Sequence, residues 1–330
     1  MDAVVLVGGF GTRLRPLTLS VPKPLLPVGN VPIVERIIAS LERAGITRAV
    51  LALGFKPEPF LAAFPNGRCG NIELIYAVEP EPLDTAGAIA FAARYAGISS
   101  TFVVANGDIL TSLEISKVID FHRASRAEGT LHLTPVDDPS QFGVVETNAN
   151  GKVLRFVEKP APGESTSRNV NAGTYVLEPS VIERVPENAK VSIERVVFPA
   201  MVNDGSLFAI ATDDSWVDTG RPETFLAANI STVAAAGESI IDPTALVAGD
   251  AAIVNSVVGA NAVVGAGARV VDSVIFPSAR VGEHAVVESG LVMGAIGAGA
   301  VTADVVVGVD GVVPTDAHVS GGKFPVPEGA

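Results

Sequence analysis

A single cysteine, Cys69, in 330 residues leaves no intramolecular disulfide to hold the fold. Basic residues are scarce: 23 Lys and Arg stand against 36 Asp and Glu, a formal charge of -13. That balance excludes a general attraction to nucleic acid or to an anionic membrane, so any phosphate binding has to be local. No apolar run approaches the about 20 residues of a transmembrane helix, because Gly, Asp or Pro interrupts each one. The four histidines, His122, His132, His284 and His318, are scattered, which gives no zinc-type cluster. Met1 leads through the short apolar stretch Val4 to Val7 straight into glycines, so no signal peptide is read there and the cytoplasm is the expected location.

What is present is a hydrophobic content of 48%, ample for a core, in a chain long enough for one large domain and a smaller one. Two textures divide it, with the change near residue 237, so that 1–236 and 237–330 are the expected domains. In the first, strand candidates Ala3 to Val7, Ala49 to Leu53, Ile72 to Ala77 and Phe102 to Ala105 are apolar on both faces, as a helix-covered parallel sheet requires. Between them Val34, Ile37, Ile38 and Leu41 recur at helical spacing up to Gly45, and Thr85 to Tyr95 and Leu113 to Arg126 behave similarly. The alternation predicts an α/β, doubly wound (Rossmann-like), mostly parallel sheet with ligands beyond the carboxyl ends of its strands.

Beyond Gly237 the chain turns to Ala, Val and Gly with a six-residue beat. Val258-Gly259, Val264-Gly265, Val281-Gly282 and Ile296-Gly297 each open a hexapeptide, with the first two six residues apart and later intervals of 17 and 15. A coil of three hexapeptides with slips at its corners fits that spacing, and a left-handed parallel β-helix is expected. A flexible linker would not keep Val and Ile in register.

The run Gly8-Gly9-Phe10-Gly11-Thr12-Arg13-Leu14-Arg15-Pro16-Leu17-Thr18 follows the first strand directly. Glycine backbone can approach a triphosphate closely, and a guanidinium such as Arg13 offers a fork of donors. The run matches neither the dinucleotide nor the P-loop spacing, and alone it is also compatible with a plain tight turn. Pro22-Lys23-Pro24 strengthens the phosphate reading, because two prolines limit where the Lys23 ammonium can go.

GGFGTRLRPLT followed by PKP resembles the opening of the sugar-1-phosphate nucleotidyltransferases, or sugar-nucleotide pyrophosphorylases, and within them the mannose-1-phosphate guanylyltransferases. The similarity continues through EPLDTAGAIA at 81 to 90, NGDIL at 106 to 110, QFGVVE at 141 to 146 and FVEKP at 156 to 160. It extends through VNAGTYVL at 170 to 177, SIERVVFPAM at 192 to 201 and WVDTGRPETFLAAN at 216 to 229, and a β-helical tail is common in the family.

The resemblance implies Mg²⁺-assisted transfer of a nucleotidyl group from a nucleoside triphosphate, GTP foremost, to a hexose 1-phosphate, mannose 1-phosphate foremost, with loss of pyrophosphate. It makes Arg13 and Lys23 the catalytic cations, with Gly8, Gly9, Gly11 and Thr12 in the triphosphate turn. It makes Asp108 and Asp218 the Mg²⁺ ligands; both end short apolar segments and supply hard oxygens, although on the residues alone either could be a turn or cap. Glu158 and Lys159 would hold sugar hydroxyls and sugar phosphate, with Gly143, Asn171 and Gly173 completing that pocket and Asn106 beside it. The base would lie against Leu6 to Gly9 and the loop Glu81 to Gly87, including Thr85 and Gly87. One departure stands there: where the family commonly reads L-G-T-A-G, this chain has Leu83-Asp84-Thr85-Ala86-Gly87. Asp84 either caps a helix beginning at Thr85 or accepts the paired donors of guanine.

Three other readings compete. A glucose-1-phosphate uridylyl- or thymidylyltransferase shares the loop architecture. A non-catalytic nucleotide-sugar-binding homologue is disfavoured by the intact Arg13, Lys23, Asp108 and Asp218. An acyltransferase would need a histidine in the coils, where His284 lies, but it leaves the upstream motifs unexplained. A homo-oligomer is expected, since the ends of a β-helix are prone to association.

Overall fold

The structure is a computed structural model, and it describes residues 1–54, 57–161, 163–165 and 167–325. The chain forms two compact units: a sheet unit of Met1–Gly9 with Val34–Trp216, and a coil unit of Phe10–Ile33 with Val217–Ala330. Compactness therefore divides the chain elsewhere than the change of texture at 236/237, because residues 10–33 and 217–236 cluster with the coils.

The sheet unit is built on four parallel strands, β1 (Asp2–Leu6), β2 (Arg48–Leu53), β3 (Ile72–Val78) and β4 (Phe102–Asn106), in the order β3-β2-β1-β4. In β1, β2 and β4 nearly all the Val, Leu and Ala are buried on both faces, which is why those runs read as continuously apolar, whereas β3 leaves Glu73 and Val78 exposed. Antiparallel strands extend the sheet beyond β4: β5 (Gly129–Pro135), β6 (Gly143–Thr147), β7 (Val153–Glu158) and β8 (Asn169–Leu177), with β8 against β4. Strand β9 (Leu207–Ala211) runs parallel to β5. The sheet is thus mixed, parallel at its centre. Chain order reverses between β1 and β4, and such a switch point opens a crevice at the carboxyl ends of those strands.

The helices α1 (Ile33–Arg43), α2 (Asp84–Tyr95) and α3 (Ile115–Ser125) fall where the apolar spacing predicts them. Two differ at their ends for local reasons. Leu113 is outside α3, its N–H taken by the Thr111 hydroxyl, and Arg126 ends that helix in a left-handed conformation. Helix α2 begins at Asp84, one residue before the expected Thr85. None of the described helices is long and apolar enough to cross a membrane.

In the coil unit, helix α4 (Pro222–Ala236) precedes a parallel β-helix of three sheets with six, five and five strands. Ile240, Val257, Val274 and Leu291 pair in succession at steps of 17 residues, and Leu291 pairs with Val306 at a step of 15. The inward row includes Val258, Val264, Val281 and Ile296, the aliphatic residues of the hexapeptide signal. The glycine after each lies where coils approach most closely: a Cβ on Gly259 would come within 2.6 Å of the Pro277 nitrogen. His284 occupies a left-handed corner (φ 55°) stacked under Gly267, a place set by coil geometry.

One buried group on β5 ties this fold to pH. His132 is fully buried; its Nε2 bonds the Thr212 hydroxyl at 2.8 Å, and its Nδ1 has no partner among the described residues. Burial pushes its pKa from 6.5 down to about 4, against a smaller opposing pull from Asp214. The folded chain thus binds fewer protons than the unfolded chain between those values. Its stability is complete above pH 6.5 and falls as pH drops toward 4, by up to ~3 kcal/mol. Urea midpoints measured from about pH 7.5 to 4.5 should show this decline, and His132→Met should flatten it.

Candidate active site

Within the coil unit, the segment after β1 folds as three short 3-10 turns, Thr12–Leu14, Leu17–Leu19 and Lys23–Leu25, anchored by the buried Leu14, Leu17, Leu26 and Val28. Gly11, left-handed at φ 59°, packs against Thr18 and Lys23, and the Thr18 hydroxyl donates to the Gly11 carbonyl at 2.8 Å. These contacts close the segment into a compact loop. They bury Lys23, at 5% exposure, between its two prolines.

A buried ammonium requires a negative partner. Lys23 Nζ lies 3.6 Å from Asp218 Oδ1, and Arg13 lies 4.0 Å from Asp218 Oδ2, with its side chain 58% exposed. Asp218 Oδ1 also accepts the Gly220 N–H at 2.8 Å. Gly220 makes this arrangement possible, since a Cβ there would strike both the Arg13 guanidinium and the Asp218 carboxylate. Arg13, Lys23 and Asp218, from two distant parts of the sequence, thus form one charge cluster.

Within the sheet unit, a second set gathers at the switch point. Leu6 and Asn106 are register partners at the ends of β1 and β4, and the Gly107 N–H donates to the Leu6 carbonyl at 2.8 Å, which places the half-buried Asp108 just beyond. Strand β8 is irregular between Asn171 and Tyr175. There Gly173, at φ 78°, leaves room for the Asn106 side chain, while the Asn171 side chain accepts the Gly173 N–H and donates to the Tyr175 hydroxyl. Trp216 Nε1 donates to the Ala172 carbonyl at 2.9 Å, and its ring meets Phe142 edge-on at 5.5 Å.

Phe142 leads into Gly143, the register partner of Glu158 across β6 and β7. Burial raises the Glu158 carboxyl above the usual range, Glu194 adds to this, and Lys159 and Arg195 oppose it. Lys159 Nζ is 3.8 Å from Glu158 Oε1. Tyr175, wholly buried, is likewise raised, by burial first and then by Glu194, with Glu158 and Asp108 adding to it. Asn106, Asp108, Gly143, Glu158, Lys159, Asn171 and Gly173 therefore belong to one neighbourhood.

The base-side residues are less uniform. Thr85 is engaged inside the protein: its hydroxyl donates to Glu194 at 2.7 Å and accepts the Ile193 N–H at 2.8 Å. Gly87 donates to the Val191 carbonyl and abuts Ala189. Asp84 is exposed and left-handed at φ 60°, its carboxylate accepting the neighbouring Thr85 N–H rather than one further along the helix. A backbone with φ > 0 is one that favours glycine over other residues. Gly8 and Gly9 are exposed, and Thr12 opens the first 3-10 turn.

Sequence reasoning missed Glu79, Tyr175, Glu194, Trp216 and Gly220. Four lie inside the quoted motifs, but only the folded contacts set them apart. Glu79 is buried, and its Oε2 accepts the Leu83 N–H at 2.9 Å. Its Oε1 lies 3.5 Å from where a Gly8 Cβ would stand. Burial raises its pKa, opposed by the Leu83 N–H.

Among the described residues no three His, Cys, Asp or Glu side chains gather as a metal cluster. Asp108 in the sheet unit and Asp218 in the coil unit each offer a hard carboxylate of the kind Mg²⁺ takes, one or two at a time, with phosphate and water completing its shell.

A family model described as nucleotidyl transferase matches residues 2–234, and one described as GlmU-like C-terminal hexapeptide matches 221–320. The chain belongs to the nucleotidyl transferase family. Among its curated relatives, mannose-1-phosphate guanylyltransferase of Mycobacterium tuberculosis is 42% identical over 228 residues, 68% of this chain and 63% of that protein. Mannose-1-phosphate guanyltransferase of Schizosaccharomyces pombe is 44% identical over 230 residues, 68% of this chain and 62% of that protein. The matched part thus spans less than two thirds of either relative's length. HddC from Yersinia pseudotuberculosis, solved also in complex with GMP-PN, superposes with a TM-score of 0.60 at 29% identity, covering 70% of this chain and 99% of HddC.

The left-handed backbone at Asp84 can be checked directly. A left-handed non-glycine residue costs about 1 kcal/mol. Asp84→Gly should leave stability unchanged or raise it by up to that amount, and Asp84→Val should lower it by ~1–2 kcal/mol in denaturant unfolding.

Proposed function

We propose that the chain transfers a guanylyl group from GTP to mannose 1-phosphate, releasing pyrophosphate and giving GDP-mannose. The observation that carries this reading is the Arg13, Lys23 and Asp218 cluster, in a chain whose curated relatives at 42% and 44% identity bear that activity in their names. A non-bridging oxygen of the sugar phosphate attacks the α-phosphorus in line, and pyrophosphate leaves opposite. That nucleophile is ionised at neutral pH, so no histidine base is required. What remains is to neutralise and align two polyanions.

Lys23 is fixed by burial and sits where a charge must be balanced; Arg13, exposed, is able to swing onto triphosphate oxygens. Asp108 and Asp218 would hold Mg²⁺, which supplies further charge neutralisation at the phosphates. Glu158 takes the sugar hydroxyls and Lys159 the sugar's phosphate, with Asn171 and the backbone at Gly143 and Gly173 completing that pocket. Gly8, Gly9, Gly11 and Thr12 line the triphosphate, with Leu6 and the Thr85 to Gly87 turn on the base side. We assign guanine's paired donors to Glu79, buried beside Gly8, in place of the exposed Asp84. Residues 1–236 form the catalytic part and 237–330 the β-helix, in a cytoplasmic homo-oligomer.

A matrix of GTP, UTP, ATP and dTTP against mannose, glucose and galactose 1-phosphates, read by product mass, tests this. GDP-mannose should dominate, and Glu79→Gln should lower the preference for GTP by roughly tenfold to a hundredfold. A dominant UDP- or dTDP-glucose product would replace the assignment, and no pyrophosphate release with any pair would mark a binding protein.

A further inference from the structure

The three faces of the β-helix differ in what they turn outward. In the second sheet the outward residues are Val263, Arg280, Ala295 and Val312, half-buried or exposed. In the first sheet the corresponding row is Val257, Val274, Leu291 and Val306, all buried although they lie outside the inner core. That face is covered, and within the coil unit the contacts that reach it lead back to the loop holding Lys23.

Three of them rise from different levels of the same face. The Asn30 side chain donates to the Val258 carbonyl at 3.0 Å. Phe276, which follows the strand Val274–Ile275, stacks on Phe225 of α4 at 6.0 Å. Asn229, one turn further along α4 and wholly buried, accepts the Gly29 N–H at 2.9 Å and donates to the Phe225 carbonyl at 3.1 Å. At the far level Gly308 meets Pro16, whose Cβ would lie only 2.8 Å from a Cβ placed on that glycine. The loop is thus gripped at both ends, at Pro16 and at Gly29-Asn30, with Lys23 between the two grips.

We propose that this face of the β-helix is a positioning surface for the loop, holding residues 11–30 in the conformation that sets Lys23 beside Asp218. The proposal rests on the assignment of that loop to the triphosphate. Asn30, Asn229 and Gly308 are positioning residues: they act through the loop and touch no substrate. The β-helix then does more than assemble subunits, since any distortion of its first face is transmitted to a charged group of the reaction.

Two variants of the full chain test this. Gly308→Val drives a branched side chain into a rigid proline. Asn30→Gly removes only the grip on Val258, and it keeps the left-handed backbone at φ 64°, where glycine is at ease. Gly249→Ala, at a coil position with nothing within 4 Å, is the control. Hydrogen exchange is read at Leu14, Leu25 and Leu26, whose amides bond within the loop, beside steady-state kinetics. Asn30→Gly should speed exchange there by roughly 3- to 10-fold and Gly308→Val by at least about 10-fold. Coil amides should be unchanged, and KM for the triphosphate should rise while KM for the sugar 1-phosphate stays. Wild-type loop exchange in Asn30→Gly and in any folded Gly308→Val, or equal acceleration in the control, overturns the proposal. A wild-type chain that binds no triphosphate, yet shows the selective acceleration in the variants, keeps the mechanical coupling and removes instead the assignment of the loop to phosphate.

Discussion

An ammonium withdrawn from water has to be balanced by negative charge held close by, and Lys23 is balanced by Asp218, 195 positions later in the chain. Most of the loop's features follow from that requirement. The flanking prolines limit the lysine's backbone, Gly11 lets the segment close upon it, and Gly220 keeps space for Arg13 on the same carboxylate. A buried pair of this kind adds little net stability, because desolvation offsets most of the attraction. Under the proposed function its value lies in placement: cationic groups would stand ready where two phosphates meet, leaving little reorganisation for the moment of reaction.

The charge cluster has to be held by something stiffer than a loop, and the coil unit supplies it. Parallel coils stacked through an aliphatic interior form a rigid prism, since each strand is bonded to the coil before and after it. A row of apolar residues on the outside of one sheet gives that prism a sticky face, and α4 with the loop's two ends accounts for contacts to it. The repeat that makes the tail look like a mere structural appendage is thus the same repeat that provides an even, unyielding support.

Much of this was legible in the residues. Both faces of β1, β2 and β4 are buried, so their apolar runs stood out, and the six-residue beat of the coils reflects close backbone approach after each inward aliphatic. Motifs singled out Arg13, Lys23 and Asp218, which the fold brings into one charge cluster. Other features were hidden because they depend on neighbours far away in sequence. Glu79 looks like any charge before a proline until it is found buried beside Gly8, and Tyr175 and Trp216 read as ordinary aromatics until their polar ends reach Asn171 and Ala172. Asp84 read either as a cap or as an acceptor for guanine, and its left-handed backbone leaves no trace in the letters. The grouping of residues 10–33 with the coils was likewise invisible, since no periodicity links Pro16 to Gly308.

The most direct measurement is the rate of pyrophosphate release by Lys23→Ala, with far-UV circular dichroism and unfolding midpoints confirming that the chain still folds. If a preorganised ammonium is what the loop exists to present, turnover should fall by roughly 10²- to 10³-fold. Near-normal turnover in a folded Lys23→Ala protein would contradict the account and leave the Lys23–Asp218 pair a structural contact only.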